Sequence, residues 1–267
     1  MKFSILIAHY NNDLFFKDCY NSIINQSYQD FEVIIVDDYS EVTSIKEVKN
    51  LIKNDIRFKF FQNSSNKGVG YTKNKCIEFA SGDICGFVDP DDALRNDAVE
   101  KMVEFFKKKD CVAAYSKMML CDNQLQPINP FNRTKQIINR DKYFVNINNN
   151  ITHFFSFKKH IYDLTEKIDP NLRRAEDQDL YLKLYEKGRI LFIDDCLYNY
   201  RLHKNGLTQG EDKGKSDFLN VIKKTFKRRK INKFQKFEDE DLYNKLIKKE
   251  QSINKRIIRY YLNHFII

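Results

Sequence analysis

The chain has 267 residues, of which 42% are hydrophobic and 31% charged, and its formal net charge is +9. Aromatic residues make up 14%, so the composition excludes a disordered chain and allows one large domain with a small appendage. No run of about 20 apolar residues occurs, and we expect a soluble cytoplasmic protein. The six cysteines lack the spacing of a zinc site and are expected to be reduced and mostly buried.

The positive charge is concentrated at one end of the chain. Residues 211–267 contain 16 Lys or Arg and 8 Asp or Glu, which accounts for nearly all of the net charge. The sequence therefore predicts a domain over 1–210 and a basic helical segment over 211–267. Such a segment fits nucleic acid, an anionic membrane surface or a solvated face equally well.

Apolar runs and helical spacing alternate through the first ninety residues. The runs 3–8, 31–36, 58–61 and 84–88 predict strands, the first of them buried on both faces, and helices are expected after the first strand and over about 71–80. This pattern is typical of an α/β fold with a mainly parallel sheet flanked by helices.

Polar or acidic residues follow three of these strands directly. In open α/β sheets, ligands bind outside the carboxyl ends of the strands, near the point where the strand order reverses. We therefore expect one crevice to be shared by His9, Tyr10, Asn11, Asp38 and the run Asp89 to Asp92.

The pattern weakens further along the chain. A helix over about 96–108 and strands over about 111–118, 151–157 and 190–193 are predicted. A further helix is predicted to start at the acidic cluster Glu176, Asp177 and Asp179 and to continue over 180–187. The polar, Asn-rich stretch from about 119 to 150 gives little signal. Beyond residue 210 the sequence is helical and basic.

Three carboxylates in four residues, Asp89, Asp91 and Asp92, repel one another at the end of a strand. A divalent ion would offset that repulsion, because Mg²⁺ and Mn²⁺ prefer oxygen ligands and Mg²⁺ is usually held by one or two carboxylates plus phosphates. The alternative is that Asp92 caps the following helix while the other two are solvated.

Other polar residues also allow two interpretations. Asp38 can accept hydrogen bonds from a base or ribose, or can shape a turn. Asp177 can serve as a general base, or can complement the dipole at a helix N-terminus. His203 is either a metal or phosphate ligand or a structural histidine.

Seven short motifs occur in the order found in family 2 glycosyltransferases of the GT-A fold, which the chain resembles over about residues 1–205. The motifs are ILIAHYN from Ile5, NQSYQDF from Asn25, VDDYS from Val36, NKGVGYTKN from Asn66, GDICGFVDPDD from Gly82, EDQDL from Glu176 and YRLH from Tyr200. The resemblance implies a GT-A nucleotide-diphospho-sugar transferase fold with a C-terminal helical appendage.

The resemblance also implies a role for each matching residue. Asp38 would contact the nucleobase, with Ala8 and Tyr10 lining that pocket; Asp89 would lie near the ribose; Asp91 would bind the metal, joined by His203; and Asp177 would be the catalytic base. Lys73 stands where an Arg is common and would neutralise donor phosphate as a point charge without the bidentate fork.

The implied activity is an inverting, metal-dependent hexosyl or N-acetylhexosaminyl transfer. Mn²⁺ or Mg²⁺ is the expected cofactor, a UDP-sugar the expected donor, and a glycan or lipid-linked saccharide the expected acceptor, in cell-envelope polysaccharide synthesis. We expect no nucleic acid partner, and a peripheral contact of residues 211–267 with the anionic inner membrane surface.

Two other functions remain open on the sequence. A nucleotidyltransferase of related fold would normally show a basic Gly-rich phosphate loop near the N-terminus, and residues 1–20 contain none. A non-enzymatic protein could bind anionic surfaces through its basic segment. A dinucleotide enzyme is disfavoured, because Gly68 and Gly70 lack the third glycine of that fingerprint.

Overall fold

The computed structural model describes residues 1–203 and 214–231, together with 241, 242, 244–246 and 248. Nine strands and seven helices have defined bounds in this part of the chain. The strands are Phe3–His9 (β1), Phe31–Asp37 (β2), Phe58–Gln62 (β3), Ile84–Phe87 (β4), Ala93–Leu94 (β5), Ala113–Cys121 (β6), Pro127–Pro130 (β7), Ser156–Lys158 (β8) and Ile190–Arg201 (β9). The helices are Phe16–Ile24 (α1), Val42–Ile52 (α2), Val69–Phe79 (α3), Ala98–Lys108 (α4), Lys159–Asp163 (α5), Glu176–Tyr185 (α6) and Lys215–Arg228 (α7).

The four apolar runs near the N-terminus form adjacent parallel strands, in the order β3, β2, β1, β4. Side chains alternate between the two faces, so that Ile5 and Ile7 of β1 enter one core and Leu6 enters the other. Both faces of β1, β2 and β4 are covered, which explains why these strands are mainly apolar, whereas the edge strand β3 exposes Lys59 and Gln62. The parallel α/β arrangement predicted for this region is confirmed.

The second half of the sheet changes direction. Strand β4 pairs with β8 in antiparallel fashion, β8 with β6 likewise, and β6 then runs parallel to β9. The short strand β5 pairs with the end of β9, and β7 pairs with β6. The sheet is mixed, and its continuous parallel part is the N-terminal half.

Several boundaries differ from those predicted. Helix α2 was not predicted, because one of the three positions that it buries is Ser44 rather than an apolar residue. Strand β9 extends eight residues beyond the predicted 190–193, since its middle carries Asp194 and Asp195, which hide the strand pattern. The six cysteines are free and five are buried, as predicted.

Helix α7 packs on the main domain through a third apolar cluster, in which Leu219, Ile222 and Phe226 meet Val145 and Ile147. Arg228 and Arg229 also bond to Glu186, which follows α6. Helical structure is therefore present in the basic segment, whereas the predicted boundary at 210 and 211 lies outside the described residues. No helix in the described part of the chain is both long and apolar enough to cross a membrane.

Candidate active site

The ends of β1 and β2 are joined by a buried pair, His9 and Asp37. The Nδ1 atom of His9 lies 2.9 Å from Asp37 Oδ1, and both side chains are fully buried. Burial alone would raise the pKa of Asp37, but hydrogen bonds from His9 and Ser40 outweigh it and lower the pKa. This pair holds the ends of β1 and β2 together and forms the floor of the site, beneath the residues that follow each strand.

Asp38 is buried directly beside that floor and organises the loop after β3. Its carboxylate accepts hydrogen bonds from Asn63 Nδ2 at 2.8 Å, from the Lys67 amide at 2.8 Å and from the Gly68 amide at 2.7 Å. Gly68 has φ +91°, a conformation that suits glycine. An ionised carboxylate offers about four acceptor positions, so roughly one is left for a ligand.

Ala8 and Tyr10 lie at the end of β1, beside Asp38. The Asp38 amide bonds to the His9 carbonyl, at 2.8 Å, which holds the two segments together. Ala8 is half-buried and the Tyr10 side chain is 52% exposed. These three residues, predicted to form one pocket, are neighbours at the carboxyl edge of the sheet.

Asp92 does not cap a helix, which corrects the alternative considered for it. It is 2% exposed and precedes β5, while the next helix begins only at Ala98. Its carboxylate accepts hydrogen bonds from the Tyr198 hydroxyl and the Arg201 amide, both at 2.7 Å. Burial, and then the charges of Asp89 and Asp91, raise the pKa of Asp92 well above its ordinary value. Asp92 therefore anchors the acidic run to β9.

The same anchoring brings His203 to Asp91. His203 Nε2 lies 2.9 Å from Asp91 Oδ2, and the His203 ring packs edge-on against Phe15, with centroids 4.8 Å apart. Arg201 donates to the Asp91 carbonyl at 2.7 Å and ion-pairs with Asp18. The structure thus brings together two residues that are 112 positions apart and were both predicted as metal ligands.

This pair suits a partial metal site. No group of three or more His, Cys, Asp or Glu side chains is arranged for a metal ion among the described residues. However, Mg²⁺ is commonly held by one or two carboxylates with substrate phosphates and waters. Asp91, which is partly exposed, and His203 could supply the protein ligands, and a bound diphosphate and waters the remainder.

Asp89 lies on the other side of Tyr198. Its amide donates to the Tyr198 hydroxyl at 3.1 Å, and its carboxylate lies 3.8 Å from His153 Nε2. The His153 ring stacks on Tyr198, with centroids 4.9 Å apart. Neither Tyr198 nor His153 was predicted from the sequence as a site residue. Tyr198 stands two residues before the YRLH motif, which is the one signal that could have indicated it.

Asp177 lies in the first turn of α6, which begins after Ala175 in the left-handed conformation, φ +59°. Asp177 Oδ1 accepts a hydrogen bond from Lys73 Nζ at 2.6 Å, and Glu176 Oε1 accepts another at 2.7 Å. The charge of Asp89 also acts on Lys73. Lys73 Nζ also lies 5.2 Å from the centre of the Phe87 ring, at the end of β4 and two residues before Asp89. The predicted base and the acidic run therefore lie on either side of Lys73, which was predicted to meet phosphate but bonds to Asp177 and Glu176.

Comparison with known proteins places these features in context. Residues 4–164 match the model of "Glycosyl transferase family 2". A chondroitin synthase of Escherichia coli is 31% identical over 87% of the chain, but the chain spans only 34% of that protein's length. A putative teichuronic acid biosynthesis glycosyltransferase, TuaG of Bacillus subtilis, is 27% identical over 78% of the chain and 82% of its own length.

The fold has solved counterparts. The structure of S. aureus TarS 1-349 in complex with UDP-GlcNAc superimposes with a TM-score of 0.71. It is 21% identical in sequence, and the match covers 91% of the chain and 69% of that structure.

Proposed function

Because the chain belongs to glycosyl transferase family 2, we propose that it transfers a sugar from a UDP-sugar to a hydroxyl of a glycan or lipid-linked saccharide. The observation that carries the proposal is a set of three contacts: Asp38 accepts the Gly68 amide just before α3, Lys73 of α3 donates to Asp177, and Asp91 lies 2.9 Å from His203. Such a reaction requires a hydrogen-bond acceptor for the nucleobase, a partial metal site and a carboxylate that acts as general base.

In the proposed mechanism, Asp177 removes the proton from the acceptor hydroxyl. The acceptor oxygen attacks the anomeric carbon in line with the leaving diphosphate, so that the new C–O bond forms as the old one breaks and the configuration inverts. Asp38, with Ala8 and Tyr10, holds the nucleobase of the donor, and Asp89 lies beside the donor ribose. Asp91 and His203 would hold Mn²⁺ or Mg²⁺, which when bound acts as a Lewis acid on the diphosphate.

The acceptor class is supported by the relatives. One is named for chondroitin synthesis and another for teichuronic acid biosynthesis, which favours a polysaccharide of the cell envelope. The UDP donor is supported by the UDP-GlcNAc complex of the structural neighbour. Hexosyl or N-acetylhexosaminyl transfer fits both.

We also propose that residues 211–267 form a basic segment that rests on an anionic membrane surface, at the cytoplasmic face. Its support is the excess of 16 Lys or Arg over 8 Asp or Glu and the exposed Lys227 and Lys230, which lie on and just after α7. Each cation near such a surface contributes about 1 kcal/mol.

The function is tested with a panel of UDP-, GDP- and other nucleotide-sugars, scored by thermal stabilisation and by sugar release with and without Mn²⁺. We expect stabilisation by UDP-sugars and Mn²⁺-dependent release. Asp177→Asn should keep UDP binding and lose transfer by about 10²-fold or more, since the proton acceptor is removed. Transfer by Asp177→Asn at the wild-type rate would refute the base assignment, and no response to any nucleotide-sugar would refute the proposed activity.

A further inference from the structure

Lys73 is a buried cation shared by two carboxylates. Its side chain is 3% exposed, and its ammonium lies 2.6 Å from Asp177 Oδ1 and 2.7 Å from Glu176 Oε1. The ammonium also lies 5.2 Å from the centre of the Phe87 ring. Since an ammonium has three N–H donors, two are used on the residues that open α6.

This ion pair differs from an ordinary surface pair. Burial would lower the pKa of Lys73, but Asp177 and Glu176 outweigh it and raise the pKa well above its ordinary value. The ammonium therefore stays charged although it is removed from water. It joins α3 to α6 across more than 100 residues of sequence, and a buried pair of this kind persists only with good geometry on both sides.

The two oxygens of Asp177 have different surroundings. Oδ1 is held by Lys73, whereas Oδ2 accepts no hydrogen bond from any residue in the described part of the chain. The side chain is 26% exposed, so it remains open to the crevice. One oxygen is thus fixed and the other is available to take a proton.

We propose that Lys73 is the positioning residue of the base: it fixes Asp177 through Oδ1 so that Oδ2 faces the acceptor hydroxyl. This inference rests on the proposed function, and it gives Lys73 a role other than neutralising donor phosphate. Without the ammonium, Glu176 and Asp177 would be adjacent carboxylates with no cation between them, and their repulsion would turn Asp177 away.

The two roles for Lys73 predict different kinetics. A positioning role affects the chemical step, so Lys73→Met should lower kcat by about 10²-fold, the scale of a misplacement near 1 Å. The Kd for UDP, measured by calorimetry, should stay within about twofold of the wild-type value, because the contacts that bind the donor before the reaction are kept. Lys73→Arg, which restores a cation, should recover most of kcat.

The control variant is Lys75→Met, on the same helix. Lys75 pairs with the exposed Glu78 and has no contact with α6, so kcat and UDP affinity should both be unchanged. If Lys73→Met does not fold, as judged by circular dichroism, Lys73→Gln takes its place, since it keeps an N–H donor without the charge.

A double variant tests whether Lys73 acts through Asp177. In the Asp177→Asn background, adding Lys73→Met should change the residual rate by less than about twofold, because the group being positioned is gone. The inference is overturned if adding Lys73→Met to Asp177→Asn lowers the residual rate by a further factor of about 10². It is also overturned if Lys73→Met weakens UDP binding and leaves kcat unchanged. Wild-type transfer by Asp177→Asn alone would instead refute the base assignment.

Discussion

Tyr198 is the residue through which the acidic run is built onto the far half of the sheet. Its hydroxyl donates to Asp92 and accepts the amide of Asp89, so one buried group orders both ends of the run. Asp91 lies between these two residues and meets His203. The geometry of the proposed metal site therefore depends on a side chain that touches neither the metal nor the donor.

Tyr198→Phe should weaken Mn²⁺ binding and lower the free energy of unfolding. Loss of the hydroxyl leaves the buried Asp92 carboxylate short of a donor, which costs about 1–3 kcal/mol in the free energy of unfolding. Supporting groups of this kind change metal affinity by about 10-fold or more, so the Mn²⁺ concentration for half-maximal transfer should rise. Urea unfolding and an Mn²⁺ titration of activity measure the two effects.

Tyr185→Phe is the matched control. The Tyr185 hydroxyl is likewise bonded, to the Ile138 carbonyl, but it lies near Asp141, among residues of the 120–150 stretch, and not at the acidic run. We expect a similar loss of stability and an unchanged Mn²⁺ requirement. Equal Mn²⁺ requirements in the two variants would contradict the role given to Tyr198.

At the scale of elements, the parallel strands are held in register partly by Glu32 of β2. This buried carboxylate bonds to Ser4 of β1 at 2.7 Å, to Lys59 of β3 at 2.8 Å, and to the Ser81 amide before β4 at 2.6 Å. Burial alone would raise its pKa, but these hydrogen bonds, with one from Lys2, outweigh it and hold the pKa well below the ordinary range. Glu32 thus connects all four parallel strands.

Glu32→Gln should destabilise the protein and alter its pH dependence. Because the pKa is lowered in the folded state, the stabilising contribution is present above the unfolded value of about 4.3 and is lost as the pH falls below it. The variant should lose about 2 kcal/mol at pH 7 and show a smaller further loss towards pH 3. Urea unfolding at both pH values measures this, with the exposed Glu78→Gln as control. A parallel pH dependence of variant and wild type would contradict the role of Glu32.

The elements differ in how well the sequence predicts them. Strands β1, β2 and β4 were predictable, because strands covered on both faces are continuous apolar runs, and the residues after them identified Asp38, Asp89 and Asp91. The stretch from 120 to 150 was not, because its buried apolar residues follow no regular period and side-chain hydrogen bonds to the backbone help to hold it. For example, the Tyr115 hydroxyl donates to the Lys135 carbonyl, and Asn146 bonds to both polar groups of Ile151. Periodicity carries no information about such contacts.

Residues for the candidate site could be proposed from the sequence, but the bonds between them could not. The motifs pointed to Asp177, yet the ammonium of Lys73 reaches it across the fold, and no spacing in the sequence indicates that contact. The burial of Asp92 could not be inferred either, since an aspartate before a helix usually serves as a cap.

At the scale of the whole molecule, the described part of the basic segment presents cations to solvent on and just after α7. Lys227 and Lys230 are exposed, and α7 itself is attached through its apolar face. Exposed cations attached to a firmly packed helix are suited to contact an anionic surface without disturbing the core.

Flotation with vesicles that contain anionic lipid tests this contact. Wild-type protein should float at low salt, and K227E/K230E should bind about 30-fold more weakly, since each of the two lost cations contributes about 1 kcal/mol near the surface. The matched control is K107E/K109E, which reverses two exposed lysines at the end of α4. Equal binding by both variants, or no flotation of the wild type at low salt, would contradict the membrane contact.

The long reach of Arg201 has a consequence for synthesis of the protein. Its guanidinium and amide join Asp18, Asp91 and Asp92, so the acidic run is ordered only after β9 has been added. At about 5–20 residues per second, the ribosome needs roughly 5–20 s to proceed from Asp92 to His203. The residues proposed to bind the nucleobase are therefore translated well before His203, the second residue proposed to bind the metal, and we expect a nascent chain that ends before β9 to be unable to cleave a nucleotide-sugar.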